Sequence, residues 1–134
     1  MIVYCDGGSR GNPGPAASAF VATQDDSILE KRSKYLGLTT NNVAEYTAVI
    51  MALQWILESQ LNGEIIFNLD SQLIERQING FYKVKDSKLI ALHNEVKLLI
   101  QRMEDKPRFI WNYRSGNTLA DSLVNEELDK NNNH

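Results

Sequence analysis

The chain has 134 residues, 43% of them apolar and 23% charged, which suits one soluble globular domain and excludes two separately cored ones. No run approaches about 18 apolar residues, which excludes a membrane-spanning helix. A net charge of −3 excludes a protein that grips nucleic acid by overall positive potential, so any such contact has to be local.

The opening Met1-Ile2-Val3-Tyr4 carries no basic segment followed by an apolar stretch, so no signal peptide is expected. Cys5 is the only cysteine and cannot form an internal disulfide, which fits a reducing, cytoplasmic setting. Residues 1–6 read as a strand, on which Cys5 and Asp6 point to opposite faces, so Cys5 is expected to be an ordinary buried residue. A turn rich in Gly and Pro follows, from Gly7 to Pro15. Residues 17–23 and 28–37 read as two further strands joined by Gln24-Asp25-Asp26-Ser27, giving a three-stranded meander.

From Asn42 to about Gln60 the sequence is helical and rich in Ala, Leu, Ile and Met. Residues 64–69 form a short apolar strand, and a short helix from Ser71 to Ile78 stops at Asn79-Gly80. A helix over 88–103 carries Leu89, Leu92, Val96, Leu99 and Met103 on one stripe. Phe109 to Trp111 make a last strand, and Asn117 opens a last helix through Leu128. The order β-β-β-α-β-α-α-β-α predicts an α/β domain, a mixed sheet with helices on its faces. Residues 1–130 are expected to form this single domain, with 131–134 a frayed tail.

Four acids stand at element ends: Asp6, Glu45, Asp70 and Asp121. Each also has a plain structural reading. Asp6 suits a turn before Gly7-Gly8. Glu45 lies three residues after Asn42, the spacing of a capping box. Asp70 could cap the short helix, and Asp121 suits the positive end of the last one. Taken together they read differently. If the first and fourth strands are neighbours, Asp6 and Asp70 emerge side by side, and clustered carboxylates repel unless divalent cations neutralise them. Oxygen-only ligation suits Mg²⁺ or Mn²⁺, and two such ions about 3.5–4 Å apart can cleave a phosphodiester.

The string Asp6-Gly7-Gly8-Ser9-Arg10-Gly11-Asn12-Pro13-Gly14-Pro15 resembles the first signature of the type 1 ribonuclease H family. Thr40-Asn41-Asn42-Val43-Ala44-Glu45 resembles the second and Leu69-Asp70-Ser71-Gln72-Leu73 the third. Residues 77–85 resemble a substrate-facing segment, and Asn117-Thr118-Leu119-Ala120-Asp121 the last signature. The five motifs run in order from end to end of the chain. The resemblance implies a ribonuclease H-like fold, a five-stranded mixed sheet of order 3-2-1-4-5 with strand 2 antiparallel to the rest. It implies cleavage of the RNA strand of RNA–DNA hybrids with two divalent ions, leaving a 5′-phosphate and a 3′-hydroxyl. Asp6 would bridge both ions, Asp121 would serve the ion carrying the attacking water, and Glu45 and Asp70 the other.

By the same resemblance, backbone groups near Ser9 and Gly11 would contact ribose 2′-hydroxyls. Glycines 7, 8 and 11 let backbone approach closely. The amides of Asn12, Asn41, Asn42 and Gln72 could read 2′-hydroxyls or base edges, and Thr40 and Asn42 could hold a DNA-strand phosphate. Asn41 and Asn42 have helix capping as their alternative. Arg76, Lys83, Lys85 and Lys88, set against Asp86 alone and interleaved with Phe81 and Tyr82, form the candidate DNA-strand surface.

Two departures stand out. The loop Tyr113-Arg114-Ser115-Gly116 lacks the histidine many members carry, which implies slower turnover. Arg114 could contact phosphate but not shuttle protons. The only histidines are His93, expected at the surface or core edge without a partner, and His134. Nor is there a basic inserted helix or hybrid-binding domain, as in a compact branch of the family. A monomer without membrane contact is expected, with double-stranded RNA as an alternative substrate and a weak hybrid-binding module as the non-enzyme alternative.

Overall fold

The computed structural model describes residues 1–112 and 117–131. Three antiparallel strands open the chain: β1 (Ile2–Ser9), β2 (Gly14–Gln24) and β3 (Ser27–Thr39). There follow α1 (Asn41–Glu58), β4 (Ile66–Leu69), α2 (Gln72–Ile78), α3 (Ser87–Gln101), β5 (Arg108–Trp111) and α4 (Thr118–Lys130). The sheet order is β3-β2-β1-β4-β5. β2 runs antiparallel to β1 and β3, while β1–β4 and β4–β5 are parallel. This is the expected order and sense. The β2–β3 hairpin turns on Asp25 and Asp26, both at positive φ, the backbone that matches strand twist in a two-residue turn.

Both faces of the sheet centre are covered, so β2 is buried along nearly its whole length and reads Ala-Ala-Ser-Ala-Phe-Val-Ala, without polar alternation. On one face, Val3, Cys5, Phe20, Phe67 and Leu69 pack with Tyr46, Leu53 and Ile56 of α1 and with Val96 and Leu99 of α3. On the other, Ala17 and Ala19 meet Val124 and Leu128 of α4 in a much smaller cluster. Small residues on β2 let α4 lie close. Cys5 is a buried member of the larger core, as expected.

Helix starts differ from expectation in one instructive way. The N-cap of α1 is Thr40, whose Oγ1 accepts the Val43 N–H, so neither Asn42 nor a capping box with Glu45 starts the helix. For α2 the cap is Ser71, accepting from Ile74 N–H, and not Asp70. Two of the four acids thereby lose their plain explanation.

Candidate active site

Parallel pairing of β1 with β4 ends in register at Cys5 opposite Leu69, so the next residues, Asp6 and Asp70, leave the sheet side by side. Glu45 reaches the same place because α1 crosses β1 at Gly7. A Cβ on Gly7 would fall on the Ala44 carbonyl, with Glu45 N only 2.5 Å away. Ser18, paired with Gly7 across the sheet, donates its buried Oγ to the Ala44 carbonyl at 2.6 Å and fixes that crossing. One carboxylate oxygen from each of Asp6, Glu45 and Asp70 lies within 4.8 Å of the others. Asp6 and Glu45 are buried, and Asp70 is exposed.

Asp121 joins from the opposite side. It sits in the first turn of α4, its N–H donating to the Asn117 carbonyl at 2.8 Å. Asn117 is buried and donates Nδ2 to the Cys5 carbonyl at 2.8 Å, tying the start of α4 to the residue before Asp6. Asp121 is exposed and lies outside the three-oxygen group, yet stands near enough to Asp6 for its charge to raise the Asp6 pKa.

The electrostatics follow from this crowding. Burial, then the charges of Asp70 and Asp121, push Asp6 up to about 8, against the opposing Gly7 N–H, which donates to Oδ1 at 2.9 Å. Burial also holds Glu45 well above the usual carboxylate range, with Asp6 and Asp70 adding to it. The Cys5 thiol is raised by burial and then by Glu45 and Asp6, so it is an inert neutral group. Since the folded-state value of Asp6 lies above its ordinary 3.8, its contribution to stability is complete below about pH 4 and disappears as pH rises through about 8. The metal-free protein is therefore expected to melt at progressively lower temperature between pH 4 and pH 8, as thermal scans in chelator would record. An all-oxygen donor set of mutually repelling carboxylates fits a hard divalent cation.

Beside the carboxylates the polar residues of the first two motifs form one network. Asn41 Oδ1 accepts both the Ser9 N–H at 2.7 Å and the Ser9 hydroxyl at 2.9 Å. Asn12 Oδ1 accepts the Asn41 N–H at 3.0 Å, so the orphan donor at the start of α1 is satisfied from the β1–β2 turn. Thr40 caps the helix, Asn42 is half-buried, and Gln72 is exposed at the start of α2. Of the glycines, Gly7 is required by close approach and Gly11 holds φ +85°, whereas a Cβ on Gly8 would make only ordinary contact with Val124.

The basic segment is exposed as expected. Phe81 is 68% accessible, Lys83, Lys85 and Lys88 face solvent, and the Arg76 guanidinium stands 5.3 Å over the Phe81 ring. Its one acid, Asp86, is engaged as the N-cap of α3. His93 does have partners, contrary to expectation. Its Nε2 lies 3.1 Å from the Gln77 carbonyl and must donate to it, and its ring meets Tyr46 edge-on. The Tyr46 hydroxyl in turn donates to Gln77 Oε1 at 2.7 Å. Arg114 and the loop 113–116, like His134, lie outside the described residues. The sequence does not mark the bond from Ser18 to the Ala44 carbonyl, nor that from Asn117, the expected helix start, to the Cys5 carbonyl. A serine in the apolar run Ala16-Ala17-Ser18-Ala19-Phe20 was the available signal for the first.

The family model described as reverse transcriptase-like matches residues 4–127. A bifunctional protein of Mycobacterium tuberculosis is 36% identical over 131 residues, which are 96% of this chain and 35% of that protein. The chain thus spans about a third of the length of the mycobacterial relatives it matches. LC11-RNase H1 in complex with RNA/DNA hybrid superposes with a TM-score of 0.92 at 40% identity, over 97% of each chain. RNase H1 of the halophilic archaeon Halobacterium salinarum does so with a TM-score of 0.89 at 36% identity, over 96% of this chain and 97% of that one. Identity of 36–40% over nearly the whole length of both chains goes beyond a shared sheet order: the chain belongs to the type 1 ribonuclease H family.

Proposed function

We propose that the chain hydrolyses the RNA strand of RNA–DNA hybrids, with Asp6, Glu45, Asp70 and Asp121 holding two divalent ions, Mg²⁺ or Mn²⁺. The observation that carries this reading is the convergence of Asp6, Glu45 and Asp70 oxygens within 4.8 Å, with the charge of Asp121 acting on Asp6 from the start of α4. When bound, the ions would supply activation of the attacking water and stabilisation of the leaving oxygen. Asp6, the residue between Asp70 and Asp121, is the one suited to serve both ions. Gly7 N–H holds the Asp6 carboxylate in place. The hybrid as substrate draws support from LC11-RNase H1, whose structure contains one. The Ser9–Asn41–Asn12 network offers polar groups at the site's edge for ribose 2′-hydroxyls. Arg76, Lys83, Lys85 and Lys88, with Phe81 and Tyr82, suit the DNA strand.

Labelled hybrid, duplex RNA and duplex DNA, each incubated with Mg²⁺, Mn²⁺ or chelator, test the reading. Metal-dependent cuts in the RNA of the hybrid, ending in 5′-phosphate, are expected. An intact hybrid would overturn it, and equal cutting of duplex RNA would move the substrate to double-stranded RNA. Binding is expected to weaken with salt, Arg76, Lys83, Lys85 and Lys88 together contributing a log–log slope of about −4. A titration of hybrid affinity between 50 and 200 mM salt measures it.

A further inference from the structure

Arg10 is employed by none of the roles above, and a role for it rests on the reading of the chain as a hybrid nuclease. Arg10 occupies the turn between β1 and β2, flanked by Ser9 and close to Asn12 of the polar network. Its backbone is held: its N–H donates to the Pro15 carbonyl at 2.9 Å, and a Cβ on Gly14 would strike the Arg10 carbonyl. A rigid turn thus projects a flexible cation beside the groups suited to the RNA strand. In the free protein the guanidinium meets Asp129 Oδ1 at 2.7 Å.

The pairing is easily exchanged. The two side chains are 40% and 68% exposed, and solvent-exposed ion pairs contribute little. A phosphate diester can take both guanidinium N–H groups in parallel, a geometry arginine is built for. Asp129 has its own reason to hold a cation. It lies in the last turn of α4, where the helix dipole disfavours negative charge, beside Glu126 and Glu127. Glu127 is already served by the Ser33 hydroxyl and Lys130, and Asp129 by Arg10. Eight residues separate Asp129 from Asp121, about 12 Å along the helix, which keeps Arg10 within the span of one bound strand.

We propose that Arg10 is a phosphate contact for the RNA strand, and that Asp129 holds it while no substrate is bound. Binding then exchanges one weak pair for a charge-assisted one. Asp129 acts as a competitor that lowers affinity for any polyanion.

Steady-state cleavage of the hybrid by the full chain and three variants tests this. Arg10→Ala is expected to raise KM about tenfold with kcat within twofold, since the contact is the same in ground and transition states. It should also reduce the salt slope of kcat/KM by about one. Arg10→Lys should restore the slope but only part of the affinity. Asp129→Asn should lower KM about threefold. An Arg10→Ala protein with unchanged KM and slope would overturn the proposal. So would an Asp129→Asn protein whose KM rises as in Arg10→Ala, because the pair would then be a structural tie. Absence of hybrid cleavage by the unaltered chain would instead overturn the nuclease reading itself.

Discussion

Exchanging Asp6 for asparagine is expected to abolish the proposed metal-dependent cleavage of the hybrid, by roughly three orders of magnitude or more, a loss of about 4 kcal/mol of transition-state stabilisation. The side chain keeps its size and can still accept the Gly7 N–H through its amide oxygen, so the fold is retained. What disappears is the charge facing Asp70 and Asp121. The same exchange has an opposite effect on stability. The folded protein holds the Asp6 proton up to about pH 8, and above that pH an unshared charge is buried among other acids. Asparagine does not titrate, so in chelator the variant melts above the parent at pH 8–9 and without advantage near pH 4. Gel assays of cleavage and melts at both pH values check the two halves. Normal cleavage by the variant would remove Asp6 from the site, and a lower melting temperature at pH 9 would refute the crowding argument.

Gly7→Ala strikes the fold and the chemistry through one atom. The added Cβ falls on the α1 backbone at Ala44, and neither partner is a side chain that can swing away. Relieving the overlap moves α1 off β1, opens the Ser18–Ala44 bond and displaces Glu45. A loss of about 3 kcal/mol, or about 10 °C in Tm, is expected. Cleavage should fall about 100-fold even well below the melting point, because a displacement of an ångström suffices. Gly8→Ala supplies the contrast, since its Cβ meets only Val124 at 4.0 Å and should cost less than about 1 kcal/mol. Equal melting temperatures for the two alanine variants would show that the close crossing does not constrain the helix.

Most of the architecture was readable because each element carries its own period: alternation or apolar runs in the strands, stripes in α3, turn residues at Asp25-Asp26 and Asn79-Gly80. The pairing of Asp6 with Asp70 depended on an assumption, that the first and fourth strands are neighbours. The family resemblance implies that order, and the observed register of Cys5 with Leu69 shows it. The start of α1 was misjudged because Thr40, Asn41 and Asn42 are all good capping residues. The choice is made by Asn12, 29 residues away, which takes the Asn41 N–H. Nothing near His93 in the sequence marks its partners, because Gln77 and Tyr46 come from two other helices. The bonds of Ser18 and Asn117 are unmarked for a related reason: each ends on a backbone carbonyl, and a carbonyl leaves no trace in residue type.

The uneven covering of the sheet has a consequence for how the protein fails. α1 and α3 are bound by the large aromatic and aliphatic core, whereas α4 sets Val124 and Leu128 on Ala17 and Ala19 with Tyr35 and Leu123 beside them, tied by the Asn117 amide at one end and by Ser33 and Arg10 at the other. Regions that bury little apolar surface open locally at a lower free-energy cost than the molecule as a whole. The last helix is therefore expected to detach before α1 on warming, carrying Asp121 away while Asp6, Glu45 and Asp70 stay assembled. Heat would silence such an enzyme reversibly, by lifting one carboxylate out of four, before the sheet comes apart.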